Sequence, residues 1–247
     1  MRYLHLLTFT LLAFMGFAQQ MPNEVQAGTF KRFEISISAA PEICYRSIIN
    51  DLELTHEDYQ LWSEVIDHRN ETETVKLGYT GGLHLGYNVN ERFGFQAGIQ
   101  YANRGFSTKK IDTEGTIIDP VVPESFKFIL HYDYLEIPAK VNFSFGENQI
   151  RLTTSAGLSS AFLIKQSRTY IGYYKDTTTR QVFISNDPYN RFNLFATISA
   201  GLEMHISPIM RIKVEPTFRY GLLKITDTPV SGRWYSGGLN VSYLVRL

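Results

Sequence analysis

The sequence has little of several features that would define other classes of protein. Only one of its 247 residues, Cys44, is a cysteine, which excludes an intramolecular disulfide and a zinc site built from cysteines. The 24 Lys and Arg balance the 24 Asp and Glu, so composition gives no electrostatic case for nucleic acid. No run of about 18 apolar residues occurs after the N-terminus. We therefore expect neither a helical membrane protein nor a nucleic-acid-binding protein.

The N-terminus carries the pattern of a secretory signal peptide. Arg2 supplies a positive charge, Leu4 to Phe17 is apolar, and Gly16 and Ala18 place small residues before Gln19. This pattern predicts a signal peptide over residues 1–18 and export from the cytoplasm. The rest divides into a short periplasmic segment, 19–32, and one β-barrel domain, 33–247.

Alternation of apolar and polar residues recurs along the exported chain in segments of about 10 residues, the length that a tilted membrane strand needs. Apolar positions are separated by Gly, Ser, Thr, Asn and Gln, with a few charges of both signs. Eight such segments occur: Phe33–Ala39, Leu77–Val89, Phe93–Tyr101, Leu135–Phe145, Leu152–Ile164, Leu194–Met204, Ile212–Tyr220 and Leu239–Leu247. The fold class predicted is all-β, an eight-stranded antiparallel up-and-down transmembrane β-barrel.

The connections between these segments alternate in length. Tight turns occur at 90–92, 146–148 and 207–208, and long polar segments at 46–75, 106–129, 168–190 and 223–234. All the long segments then fall at the same end of the barrel. Short periplasmic turns and longer extracellular loops are typical of outer-membrane barrels.

The orientation of the alternating faces separates two interpretations. A soluble barrel would turn its apolar face inward and expose faces rich in Gly and Ser. A membrane barrel turns the apolar face to lipid and fills its lumen with small and polar residues. We favour the membrane barrel, with Leu135 to Phe145 facing lipid. Pro138 then points inward and, because proline has no N–H, we expect a bulge or an unpaired carbonyl beside it.

Charged residues on the polar faces form a predicted lumen cluster. Isolated buried charges cost several kcal/mol each, so we expect these residues to pair across strands and plug the barrel. The alternative is a gated ion or proton path. The cluster consists of Glu34, His84, Glu136, Lys140, Glu203, Lys213, Glu215 and Arg219.

The first long loop, Asp51 to Glu73, is acidic and carries a few apolar residues. Tyr59, Trp62 and Ile66 have the spacing of one helical face, and Thr55 with Asp58 resembles a capping box. The loop is either a solvated segment or a partner-binding surface; a cation site is weaker because no EF-hand spacing is present. The candidate partner-binding residues are Asp51, Glu57, Asp58, Tyr59, Trp62, Glu64 and Asp67.

Two sets of loop residues suit a hydrolase at the rim. They are His131 with Asp133, and His56 with Asp67 and His68. Such residues are common in loops, and no pattern in the sequence brings them together with a nucleophile. We therefore predict no catalytic, cofactor-binding or metal-binding residue and no cofactor.

Several stretches resemble one known family. The stretches Gly81 to Lys110, Tyr132 to Gly146 and Arg211 to Ile225, with the last ten residues, are similar to the outer-membrane β-barrel family of Bacteroidota, the PorT-like group. The resemblance covers about residues 33–247. It implies an eight-stranded outer-membrane barrel and no single activity. The name of the group is linked to secretion-system assembly.

The function expected is that of an integral outer-membrane protein with a structural or interaction role. Its partners would be outer-membrane lipid, the barrel assembly machinery during insertion, and another envelope or secretion protein. The first alternative is a small channel or transport accessory, and the second is a rim hydrolase.

Overall fold

The computed structural model describes residues 31–52, 57–113, 122–146 and 149–247. The predicted signal peptide and most of the segment 19–32 lie outside these residues. In chain order the elements are β1 (Phe33–Asn50), α1 (Tyr59–Thr72), β2 (Glu73–Thr74), β3 (Lys76–Asn88), β4 (Phe93–Thr108), β5 (Ile111–Asp112), β6 (Ser125–Phe145), β7 (Ile150–Tyr173), β8 (Thr178–Ile184), β9 (Phe192–His205), β10 (Met210–Gly221) and β11 (Val230–Arg246).

The sheet is antiparallel throughout its recorded pairings, and neighbouring long strands follow one another up and down. β1 pairs with β3 and β11, and the pairings continue from β3 through β4, β6, β7, β9 and β10 back to β11. The predicted all-β, antiparallel, up-and-down class is confirmed. Over the described residues the sheet has eleven strands rather than eight, because β2, β5 and β8 add short strands beside the long ones.

The two ends of this sheet differ. Tight connections join β3 to β4, β6 to β7 and β9 to β10, and we call this the short-turn end. The opposite, long-loop end carries α1 and the three short strands. Among the described residues no helix is long and apolar enough to cross a membrane.

The polarity of the strands agrees with the membrane interpretation. Leu77 and Leu85, on the outer face of β3, are 80% and 64% exposed, whereas His84 between them is 3% exposed. In β6, Leu135, Ile137, Val141, Phe143 and Phe145 point outward and Glu136 is buried. A soluble barrel would have the reverse arrangement, so the apolar belt on the outside is a surface for lipid.

Prolines interrupt the ladders without changing the register. Opposite Pro138, pairing of β6 with β4 passes from Ala97↔Ala139 to Gln100↔Glu136 and skips the two residues between them. Pro41 and Pro216 each leave the same two-residue gap, with β11 and β9 respectively. Of the two outcomes expected at Pro138, the bulge is not found there, and the gap in the ladder agrees with the other, an unpaired carbonyl. The register shift of β6 lies instead at Asp133/Tyr134, against β7. A residue without an N–H omits ladder bonds locally, and the strands continue in step.

Glycines on the inner face let neighbouring backbones approach closely. A Cβ at Gly201 would collide with the Val214 carbonyl oxygen, whereas a Cβ at the outward-facing Gly237 would meet no atom within 4 Å. Gly201→Ala should therefore lower the free energy of unfolding by about 1–3 kcal/mol through overpacking. Gly237→Ala is the matched control and should change it by about 0.5 kcal/mol or less. Urea unfolding in detergent measures both, and equal effects would contradict the proposed close approach.

Candidate functional site

The lumen is filled by charged side chains in layers. Nearest the short-turn end, Arg211 of β10 pairs with Glu34 of β1, on the far side of β11, and with Glu203 on the next strand, at 2.7 Å between Nη1 and Oε1. His205 Nε2 lies 3.0 Å from the same Glu203 oxygen. Glu34, Glu203 and Arg211 are all buried. This layer joins strands β1, β9 and β10.

A second layer lies one step further in. Lys213 Nζ is 3.1 Å from Glu215 Oε1 and donates to Asn142 Oδ1 at 3.0 Å. Ser155 donates to the same Glu215 oxygen at 2.9 Å. A cavity of about 20 Å³ lies between these two layers, which leaves room for little more than one water molecule.

The central layer holds the most buried ion pairs. Arg104 Nη2 lies 2.6 Å from Glu136 Oε1, and Nη1 lies 3.3 Å from Glu42 Oε2. Arg219 also pairs with Glu42, and Ser236 donates to it at 2.8 Å. These four charged side chains are at most 1% exposed. Such pairs stabilise a fold only when their remaining hydrogen-bonding groups are satisfied. The hydrogen bond from Ser236 meets part of this need for Glu42.

An aromatic layer lies above the ion pairs toward the long-loop end. Trp234 packs 5.0 Å from Tyr132 and 6.3 Å from Phe106, measured between ring centroids, and its Nε1 donates to Tyr134 Oη at 3.0 Å. Tyr189, from the segment between β8 and β9, lies 4.6 Å from Tyr132. The layer covers the polar lumen with side chains.

The eight residues predicted for the lumen all lie on the inner face. Seven are buried and Lys140 is half-buried. The ion pairs of Glu136 and Arg219 are not made with the oppositely charged residue four positions away on the same strand. Glu136 pairs with Arg104 rather than Lys140, and Arg219 pairs with Glu42 rather than Glu215.

Sequence reasoning missed three of the pairing residues, Glu42, Arg104 and Arg211. Each lies just beyond a predicted strand end: β1 continues past Ala39, β4 continues past Tyr101, and β10 begins before Ile212. Extending the alternation by a few residues would have found them, because all three keep the inward parity of their strands.

The first long loop contains a helix. Of the candidate partner-binding residues, Glu57, Asp58, Glu64 and Asp67 are exposed, while Tyr59 and Trp62 are half-buried on the face of α1 toward the barrel. Asp51 lies outside α1 and pairs with Lys224, Oδ1 to Nζ at 2.8 Å. Thr55 of the predicted capping box lies outside the described residues. α1 therefore presents an acidic face and keeps its aromatic face against the protein.

Glu73 ties α1 to the barrel. Its Oε1 lies 2.6 Å from Arg46 Nη2 and 2.9 Å from Arg69 Nε, and Arg46 also donates to Tyr189 Oη at 3.1 Å. Burial raises the pKa of Glu73, and the charge of Arg46 opposes that rise. The guanidinium of Arg46 stacks on Phe106, so this ionic link rests on the aromatic layer.

The residues considered for a rim hydrolase have other partners. His131 Nε2 lies 3.1 Å from Thr169 Oγ1, and Asp133 accepts a hydrogen bond from Asn103. Asp67 and His68 are consecutive on α1 and both exposed, so they do not face one another. His56 lies outside the described residues. Within the described ranges no group of three His, Cys, Asp or Glu could hold a metal ion.

A ring of antiparallel strands with an apolar outside and a polar, filled inside defines the class of outer-membrane β-barrels. The family model for the outer membrane protein beta-barrel domain matches residues 17–227, so the chain belongs to that family. The protein is located in the bacterial outer membrane.

Among solved structures, the chain is similar to Neisserial surface protein A, with 11% identity, a TM-score of 0.45, and coverage of 87% of this chain and 97% of that chain. OprG of Pseudomonas aeruginosa is 9% identical, with a TM-score of 0.44 and coverage of 90% of this chain and 99% of that chain. The outer membrane protease OmpT of Escherichia coli is 9% identical, with a TM-score of 0.42 and coverage of 92% of this chain and 100% of that chain. No functionally curated protein matches the sequence.

Proposed function

We propose that this protein is a non-conducting, non-catalytic barrel that presents a rigid surface to a protein partner at the long-loop end. The observation that carries the proposal is the filled lumen: ion pairs that are at most 1% exposed lie beneath a layer of packed aromatic rings. Side chains that fill the lumen leave no continuous path for a solute. The function is then carried by what stands outside the barrel.

The acidic face of α1 is the surface that we assign to the partner. Glu64 and Asp67 are exposed three residues apart on one side of the helix, and Glu57 is exposed just before the helix begins. Asn50 holds the helix at its start by donating to the Tyr59 carbonyl and to Ser63, both at 3.1 Å, and Arg69 holds its end through Glu73. A fixed acidic surface favours a partner with a basic one.

Orientation and subgroup belong to the same proposal. Short turns in the periplasm and long loops outside the cell would follow the common arrangement of such barrels. The motifs similar to the PorT-like group of Bacteroidota favour a partner within the envelope or its secretion machinery. A small transport accessory barrel is the second candidate, favoured only by the charges of the lumen.

The test is cross-linking on intact cells followed by recovery of the barrel. A variant carrying Glu57→Gln, Glu64→Gln and Asp67→Asn should recover the cross-linked partner at about one tenth or less of the original level, because charge complementarity is lost at three positions. The matched control carries Asp112→Asn, Glu124→Gln and Asp176→Asn, which removes three exposed acids from the same end.

The control variant should recover the partner unchanged. Equal recovery of the partner by both variants would mean that the acidic residues of α1 do not bind it. Adding salt to the purified complex should weaken it, since exposed charges are screened within about 8 Å at physiological ionic strength.

A further inference from the structure

Strands β6 and β7 continue beyond the apolar belt at the long-loop end, and β8 extends their sheet sideways. Their outward face is continuous with the lipid-facing surface, because Asp133 of β6 follows Leu135 on the same side of the strand. The register then places residues of the three strands in rows. His131 lies opposite Ser167, which lies opposite Ile184, and Lys127 lies opposite Ile171, which lies opposite Arg180.

A bulge in β7 sets which residues this face displays. Tyr134 pairs with Leu163 and Asp133 with Lys165, so Ile164 is the extra residue. Outward positions are even-numbered up to Ile164, and odd-numbered from Lys165 onward. Without the bulge, Lys165 would point to the inner side. Bulges re-aim side chains in this way, and here the bulge turns a lysine outward directly above the belt.

Basic side chains gather on this face. We call Lys127, His131, Lys165 and Arg180 the basic row. Lys165 and Arg180 are exposed, and Lys127 and His131 are half-buried. Two further charged groups lie close by: Asp133 accepts from Asn103, and Lys76 donates to the same Asn103.

Exposed apolar side chains accompany the basic row. Val182 and Ile184 of β8 are 63% and 78% exposed on the same face, and Ile164 is 57% exposed at the top of the belt. A surface that changes from apolar to mixed basic and apolar within two residues matches the boundary between acyl chains and headgroups.

We propose that the basic row binds the phosphate groups of anionic lipid headgroups in the leaflet at the long-loop end. Two features carry this assignment: continuity with the lipid-facing belt, and the gathering of basic side chains on one face, where the acidic side chain of Asp133 is already hydrogen-bonded to Asn103. Lys and Arg near an anionic membrane surface attract it individually and additively.

The test compares two spin-labelled lipids, phosphatidylglycerol and phosphatidylcholine, in bilayers that contain the full chain. Electron paramagnetic resonance gives the association constant of each lipid for the protein surface. We expect preference for phosphatidylglycerol in the unmodified protein. The variant with Lys127→Gln, Lys165→Gln and Arg180→Gln should lose at least about fivefold of that preference.

The matched control is Lys109→Gln, Lys175→Gln and Lys224→Gln, which removes three exposed positive charges at the long-loop end that do not belong to the basic row. It should keep the preference. An equal loss in both variants, or no preference in the unmodified protein, would overturn the proposal. If the triple variant does not fold, the single variants Lys165→Gln and Arg180→Gln replace it, after heat-modifiable migration has shown that they are folded. Each should then lower the preference for phosphatidylglycerol.

Discussion

Replacing Arg104 with methionine should lower the free energy of unfolding by about 3–5 kcal/mol, because it leaves a buried carboxylate without its counter-ion. Arg104 is the main partner of Glu136, through Nη2 at 2.6 Å and Nε at 3.2 Å from Oε1. Glu42 is less affected by the substitution, because it keeps its ion pair with Arg219 and its hydrogen bond from Ser236. Urea unfolding in detergent, with the folded fraction read from heat-modifiable migration, measures this loss of free energy.

Two further variants make this prediction specific. Arg168→Met breaks an arginine–carboxylate pair with Asp187 whose side chains are 41% and 34% exposed, and it should cost about 1 kcal/mol or less. Adding Glu136→Gln to Arg104→Met should restore most of the lost stability, because the unpaired charge disappears. A large loss with Arg168→Met, or no recovery in the double variant, would contradict the assignment of the stabilisation to the central layer.

Trp234→Ala should have a similar cost, about 3–5 kcal/mol, because it opens a cavity in the aromatic layer. Trp234 is 1% exposed and fills the space between Tyr132 and Phe106. Tyr134 Oη also loses the hydrogen bond that the indole N–H donates to it. The same unfolding experiment applies, with loss of protease resistance in the loops as a second measurement.

The other tryptophan of the chain is the natural control. Trp62 is half-buried on α1, and Trp62→Ala should lower the free energy of unfolding by about 1 kcal/mol or less. If the two substitutions cost the same, the aromatic layer does not contribute the stability that we ascribe to it.

The faces of the strands could be predicted from the sequence because the lipid belt imposes a sharp contrast at every second residue. That contrast placed Glu136 inside and Leu135 outside, as found. It weakens where the strands leave the belt: beyond Tyr101 the outward positions of β4 are Asn103 and Gly105, which do not form an apolar face. In β1 the outward position after Ala39 is Pro41, which interrupts the pattern. Strand ends were therefore predicted too short, and the partners Glu42 and Arg104 were lost with them.

The short strand β8 was missed for a different reason. Val182, Phe183 and Ile184 form a continuous apolar run without alternation, and the strand is exposed along nearly all of its length. Such a run does not distinguish a strand from a loop with apolar anchors. Pairing between the first and last strands is equally hidden from the sequence, since Arg219 and Glu42 are 177 residues apart and meet only when the ring closes.

The conductance of the full chain in a planar lipid bilayer distinguishes a filled lumen from an open one. Because ion pairs and aromatic rings occupy the lumen, we predict no steady single-channel currents at moderate voltage. Purified protein whose heat-modifiable migration proves that it is folded should be used. Reproducible unitary currents from such protein would show that the lumen is open and would favour a transport accessory instead.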